Sequence, residues 1–146
     1  MAKKNTSYTL QFPYKRSVGP VIGTFLTGLR DRKLLGIHTP SGRVLVPPLE
    51  YDPESGEANP DDWEELAGSG VVTGWTWVDE PGPKQPLDHP FAWALVKLDG
   101  ADTSLLHVLD AGAVDRVQTG MRVRVRWASE TRGHMSDIEC FEPEEG

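Results

Sequence analysis

The stretch from Gly68 to Val78 constrains this chain most. A glycine-punctuated turn, Gly68-Ser69-Gly70, runs straight into a β-branched segment in which Trp75 and Trp77 stand on alternate residues. Large apolar side chains at period two, bounded by turn formers, specify extended chain with one buried face. Later runs repeat the pattern: Phe91 to Leu98, Leu105 to Leu109, Met121 to Trp127 and Ser136 to Phe141, each bounded by Gly, Pro or Asp. The first run is long, and Gly74 within it marks a bend or a close approach of another backbone.

Five short strands with no long helical pattern among them predict a mainly β fold, a five-stranded OB-fold barrel over residues 67–142 with an acidic tail at 143–146. The second strand places Phe91, Trp93 and Leu95 on one face and the smaller Ala92, Ala94 and Val96 on the other, the latter suited to close packing in the barrel interior. The fourth turns Val123, Val125 and Trp127 inward and Arg122, Arg124 and Arg126 outward. Guanidinium groups lined up on one face are either solvated and paired with nearby carboxylates, or a site for a phosphate-bearing ligand, single-stranded nucleic acid or an acidic partner. With Trp75 and Trp77 they are the candidate ligand or partner contacts. His107, flanked by Leu106 and Val108, reads as a satisfied core histidine, and His89, between Asp88 and Pro90 in a proline-rich loop, as a turn residue. Neither has a visible nucleophile beside it, so no catalytic residue is assigned.

Residues 1–35 read as an arm followed by a helix. Tyr8, Leu10, Phe12 and Tyr14 alternate around Pro13, the pattern of an extended segment. From Gly19-Pro20 the period changes: Ile22, Phe25, Leu26 and Leu29 fall at i, i+3, i+4 and i+7, with Arg30, Arg32 and Lys33 in the expected last turn. A helix of about four turns does not stand alone in water, so its apolar stripe must dock on the barrel or on another chain.

Residues 36–66 form a third unit. Two short strands, Leu34 to Ile37 and Arg43 to Val46, flank the turn Thr39 to Gly42, and Pro47-Pro48 ends the second. A further turn spans Tyr51 to Glu57, and an acidic linker runs from Ala58 to Glu65 with Trp63 its large apolar residue. Two knuckle-like turns so spaced are what remains of a zinc ribbon without its cysteines. The ligand positions hold His38, Ser41, Asp52 and Ser55. A structural zinc site requires four thiolate or imidazole ligands in two close pairs, so no metal is expected here.

The single Cys140 excludes an intrachain disulfide and points to a reducing, cytoplasmic compartment. No apolar run follows Lys3 and Lys4, so neither a signal peptide nor a membrane span is expected. With 22 acidic residues against 15 basic ones, a net charge of -7 argues against a general binder of polyanions.

Taken in order, Leu34–Gly36, Ser41–Pro48, Tyr51–Gly56, Gly70–Val78, His89–Asp99 and Gly120–Val125 resemble the acyl-CoA-associated OB-fold proteins grouped as domain of unknown function thirty-five. The resemblance implies an N-terminal helical arm, a rubredoxin-like zinc ribbon and a C-terminal OB barrel. The chain departs from the family where its cysteines would correspond to His38, Ser41, Asp52 and Ser55, which makes it a degenerate, metal-free member. The implied role is a non-catalytic accessory subunit of a thiolase-superfamily enzyme. The favoured branch is the lipid-transfer-protein-type aldolases that cleave steroid side-chain CoA thioesters; an acetyl-CoA C-acetyltransferase or HMG-CoA synthase complex is the alternative, and a single-strand nucleic-acid binder is an alternative of another class. An α2β2 heterotetramer follows from the resemblance, with a CoA thioester as substrate of the complex and no cofactor on this chain. Tyr8, Leu10, Phe12, Tyr14, Ile22, Phe25, Leu26 and Leu29 present more apolar surface than a small barrel covers, and are the expected docking element.

Overall fold

The computed structural model describes residues 19–144. One helix, α1 (Gly19–Arg30), precedes eight strands: β1 (Leu34–His38), β2 (Val44–Leu45), β3 (Trp63–Leu66), β4 (Ser69–Val78), β5 (Phe91–Leu98), β6 (Leu105–Leu109), β7 (Arg122–Trp127) and β8 (Ile138–Pro143). The first three form a sheet in the order β2-β1-β3, and the last five close a barrel in the order β4-β5-β6-β8-β7. All barrel pairs are antiparallel except β6 with β8, which meet in parallel at Leu109 and Phe141. The mainly β barrel expected from the five runs is the one found.

The helix follows its apolar spacing but stops at Arg30, so Arg32 and Lys33 lie beyond its last turn. Arg32 reverses the chain with φ 60°, a left-handed conformation that costs a residue other than glycine about 1 kcal/mol or more. Its guanidinium offsets that cost by donating to the carbonyls of Ala128 (3.3 Å) and Ser129 (3.0 Å), while Thr131 Oγ1 donates to the Arg30 carbonyl at 2.6 Å. The end of α1 is thereby tied to the β7–β8 connection.

Phe25 and Leu29 are buried in a core that also takes Leu34, Val44, Val46 and Leu66 from the small sheet and Val72, Ala92, Ala94, Val96, Val123 and Phe141 from the barrel. This corrects the docking assignment for two residues. Phe25 and Leu29 face their own barrel and offer nothing to another chain; Ile22 and Leu26 are half-buried. Tyr8, Leu10, Phe12 and Tyr14 lie outside the described residues.

A second correction concerns the acidic linker, part of which is strand β3. It pairs with β1 from Leu34 opposite Leu66 to Ile37 opposite Trp63. Glu64 and Glu65 point outward while Trp63 and Leu66 pack on the core, a pattern too short to register as alternation before β1 supplies an edge.

In β4 the expected bend is a bulge: Val72 lies opposite Val96 but Gly74 opposite Leu95, leaving Thr73 as the extra residue. One added residue exchanges the two faces of the strand. Val72 points inward before the bulge, and afterwards Trp75 and Trp77 take that side, opposite the small Ala94 and Ala92. The close backbone approach belongs to Gly70 and not to Gly74, since a Cβ on Gly70 would lie 2.5 Å from the Lys97 carbonyl oxygen.

Removing a buried aromatic ring leaves a cavity, so Phe25→Ala is expected to cost about 3–5 kcal/mol. Urea unfolding of the full chain, followed by tryptophan fluorescence, reads that loss, and Phe25→Asp is expected not to fold. A native midpoint in either variant would return Phe25 to the list of surface residues.

Candidate functional site

The two knuckles lie side by side, and Asp52 joins them. Its side chain is buried at 1% exposure. Oδ2 accepts from the Ser41 backbone N–H (3.0 Å) and the Ser55 hydroxyl (3.1 Å), and Oδ1 accepts from the Glu54 N–H (2.8 Å). Burial pushes the carboxyl up, but the Glu54 amide and the Ser41 and Ser55 donors outweigh it and bring it to about 2, so the group is ionised at neutral pH. His38 takes no part; its Nε2 lies 3.1 Å from Glu64 of β3. The arrangement does not fit a zinc ion. Donor hydrogens converge on a central anion, whereas a cation needs converging lone pairs, and among the described residues no group of three His, Cys, Asp or Glu is placed to hold a metal.

The arginine stripe on β7 is paired throughout. Arg122 grips Asp99 with both terminal nitrogens (2.8 and 2.6 Å) and reaches Glu144 at 3.3 Å. Arg124 donates to Glu142 at 2.9 Å; Arg126 donates to Glu139 (2.7 Å), Glu142 (3.2 Å) and Asp110 (3.2 Å). Three positive charges thus stand among five carboxylates, a local sum of -2. Of the alternatives the stripe left open, the structure shows the pairing with nearby carboxylates. The carboxylates come from β8, the turn after β5 and the end of β6, so the stripe looks basic only while the chain is read in one dimension. Trp77 is half-buried against the core and Trp75 is exposed at 37%.

Two histidines and the cysteine are structural. The Val108 N–H donates to His107 Nδ1 (2.8 Å), so the proton sits on Nε2, which donates to the Met135 carbonyl at 3.3 Å. The ring is a strut between β6 and the turn that leads into β8. Burial lowers its pKa, only partly opposed by the Met135 carbonyl. His89 Nε2 pairs with Asp110 at 3.1 Å and Nδ1 approaches Asp88 at 3.4 Å, which fastens the β4–β5 loop to the barrel. The hydrogen bond to Asp110 raises its pKa. Cys140 is fully buried and its thiol is pushed up to about 12 by burial, so it is an inert packing residue.

The sequence pattern did not single out the outer face of β5 and β6 as a surface feature. Leu95 and Leu106 are cross-strand neighbours there, 42% and 57% exposed, and Leu106 lines with Met135 and Trp93 a hollow of about 510 Å³. The sequence shows that both faces of β5 are apolar; which of them stays uncovered is decided only once the barrel closes on the alanine face.

Residues 63–128, which contain β3 to β7, match the family described as ChsH2, C-terminal OB-fold domain. A solved chain of the Ltp2-ChsH2(DUF35) aldolase superposes with a TM-score of 0.58 at 25% identity, covering 82% of this chain and 91% of that one. Over residues 63–128 the chain resembles the OB-fold domain of the DUF35 proteins. A family protein of unknown function from Sulfolobus solfataricus shares the fold, with a TM-score of 0.60 at 20% identity over 76% of this chain and 81% of that one. No curated protein sequence matches the chain.

The His107 strut requires a neutral ring. A histidine whose folded pKa is depressed contributes stability above its unfolded value near 6.5 that is lost as pH falls through the folded pKa. Unfolding midpoints of the wild type are therefore expected to fall more steeply below about pH 6 than those of His107→Gln. Parallel pH profiles would remove the strut.

Proposed function

We propose that this chain is a non-catalytic accessory subunit of a thiolase-superfamily aldolase, supporting retro-aldol C–C cleavage of a β-hydroxyacyl-CoA of the steroid side-chain class. The observation that carries the reading is the likeness to the ChsH2 component of an Ltp2-ChsH2 aldolase over nearly the whole length of that chain. The chemistry of the described residues supports it. The one cysteine is buried, and His38, His89 and His107 are engaged by Glu64, Asp110 and Met135 respectively, so none of these three imidazoles activates a nucleophile. The catalytic groups and the CoA thioester then belong to the partner, and this chain holds the partner in its working form.

Support for an obligate partner comes from the uncovered Leu95, Leu106 and Met135 on the barrel exterior, since contiguous apolar surface of this kind marks contact sites. We further propose a cytoplasmic α2β2 assembly. The nucleic-acid alternative loses its basis with the stripe neutralised, because single-strand binding needs free cations along the backbone path.

Co-expression with a thiolase-like aldolase tests the proposal. The expected result is one peak containing both chains in size-exclusion chromatography, and cleavage of β-hydroxyacyl-CoA by the pair but not by either chain alone. Replacing Tyr8, Leu10, Phe12 and Tyr14 by Ser is expected to weaken the complex by about 30-fold or more, the cost of losing hot-spot aromatics, with tryptophan fluorescence unchanged. A fully active partner without this chain would overturn the accessory role.

A further inference from the structure

In a metal-bound ribbon four ligand atoms with lone pairs surround a cation; in this chain the polarity is reversed. We propose that the Asp52 carboxylate takes the place of the metal, drawing two knuckles together by collecting their donor hydrogens around one buried anion.

Both knuckles keep the tight turns a ribbon requires: Gly42 and Gly56 sit at φ 87° and 77°, and their amides donate to the carbonyls of Thr39 (2.9 Å) and Asp52 (2.8 Å). The turns therefore form without an ion to shape them. Between them the hydrogen bond from Ser41 N–H to Asp52 Oδ2 spans 11 residues of sequence, while the Ser55 and Glu54 bonds hold the same carboxylate inside its own knuckle. Hydrogen bonds to an ionised acceptor are about twice as strong as neutral ones. A second link runs parallel on the surface, from Arg43 to Glu54 at 3.2 Å.

The chain of bonds extends inward from the anion. The Ser41 and Thr39 hydroxyls are 3.1 Å apart, and Thr39 Oγ1 accepts from the Arg43 N–H at 3.0 Å. The next residue, Val44, donates its N–H to Asp102 Oδ2 at 2.8 Å, and Val46 donates to Thr103 Oγ1 at 2.9 Å, in the turn after β5. The carboxylate is thus linked through β2 to the barrel. Of the four positions where cysteines would stand, Ser41, Asp52 and Ser55 are gathered at the anion and His38 is released to Glu64.

The test uses the full-length chain purified from zinc-supplemented medium. Elemental analysis is expected to find no stoichiometric zinc, and EDTA is expected to leave the melting temperature unchanged. Asn at position 52 keeps one acceptor oxygen for the Glu54 amide but sets an –NH2 group opposite Ser41. Asp52→Asn is therefore expected to lower the melting temperature by about 5 °C and to release the Ser41 amide selectively in hydrogen exchange. Should that variant fail to fold, Ser55→Ala, which removes a single donor, is expected to lower the melting temperature by about 2–4 °C. About one zinc per chain with an EDTA-sensitive melt would overturn the proposal. So would full Ser41 protection in Asp52→Asn, or an unchanged melt in Ser55→Ala if that variant carries the test.

Discussion

A three-stranded sheet with a two-residue strand at one edge has too little interior to hold itself together. Its persistence depends on sharing a core with the barrel. Leu34, Val44, Val46 and Leu66 are buried in the same cluster as Val72, Ala94 and Phe141, with Phe25 and Leu29 of the helix filling the joint. Small units ordinarily meet this shortage with a metal or a disulfide, but the chain has a single cysteine and its knuckle residues do not fit a zinc ion. Continuous apolar packing, beside the hydrogen bonds that gather the knuckles at Asp52, takes their place, and it explains why Phe25 and Leu29 on the face of α1 that looked free to dock elsewhere are buried at home.

The same economy of space governs the barrel interior. Ala92 makes room on β5 for Trp77 of β4, which packs on the core, and the bulge at Thr73 brings Trp77 and the more exposed Trp75 to that side. Without the extra residue the period of two would send both indoles outward. Beside the one parallel pair of β6 and β8, the His107 ring ties β6 to Met135 in the turn that leads into β8. Large and small residues thus alternate across facing strands, as close packing demands.

Electrostatics is largely consumed within the fold. An acidic chain with an arginine stripe invites a search for an anionic ligand, yet each guanidinium meets carboxylates from β8, the β5 turn or the end of β6. Exposed pairs of this kind contribute little to stability, about 0–1 kcal/mol each. Their effect is to leave the barrel surface without a concentrated positive field. Apolar contact through Leu95 and Leu106 then becomes the more specific feature of the exterior.

Local signals settled the strand runs, the helix start at Gly19-Pro20, the paired turns with Gly42 and Gly56, and the unsuitability of His38, Ser41, Asp52 and Ser55 for zinc. Each depends on side-chain type and spacing within a few residues, which the sequence alone records. Strand β3, the pairing of the arginines, the burial of Phe25 and Leu29 and the convergence of donors on Asp52 were decided by tertiary structure. Each involves partners brought together from distant positions, such as Leu34 with Leu66 or Arg122 with Asp99. A one-dimensional pattern shows that a side chain is apolar or charged; which surface or counter-charge it meets is set only when the chain closes on itself.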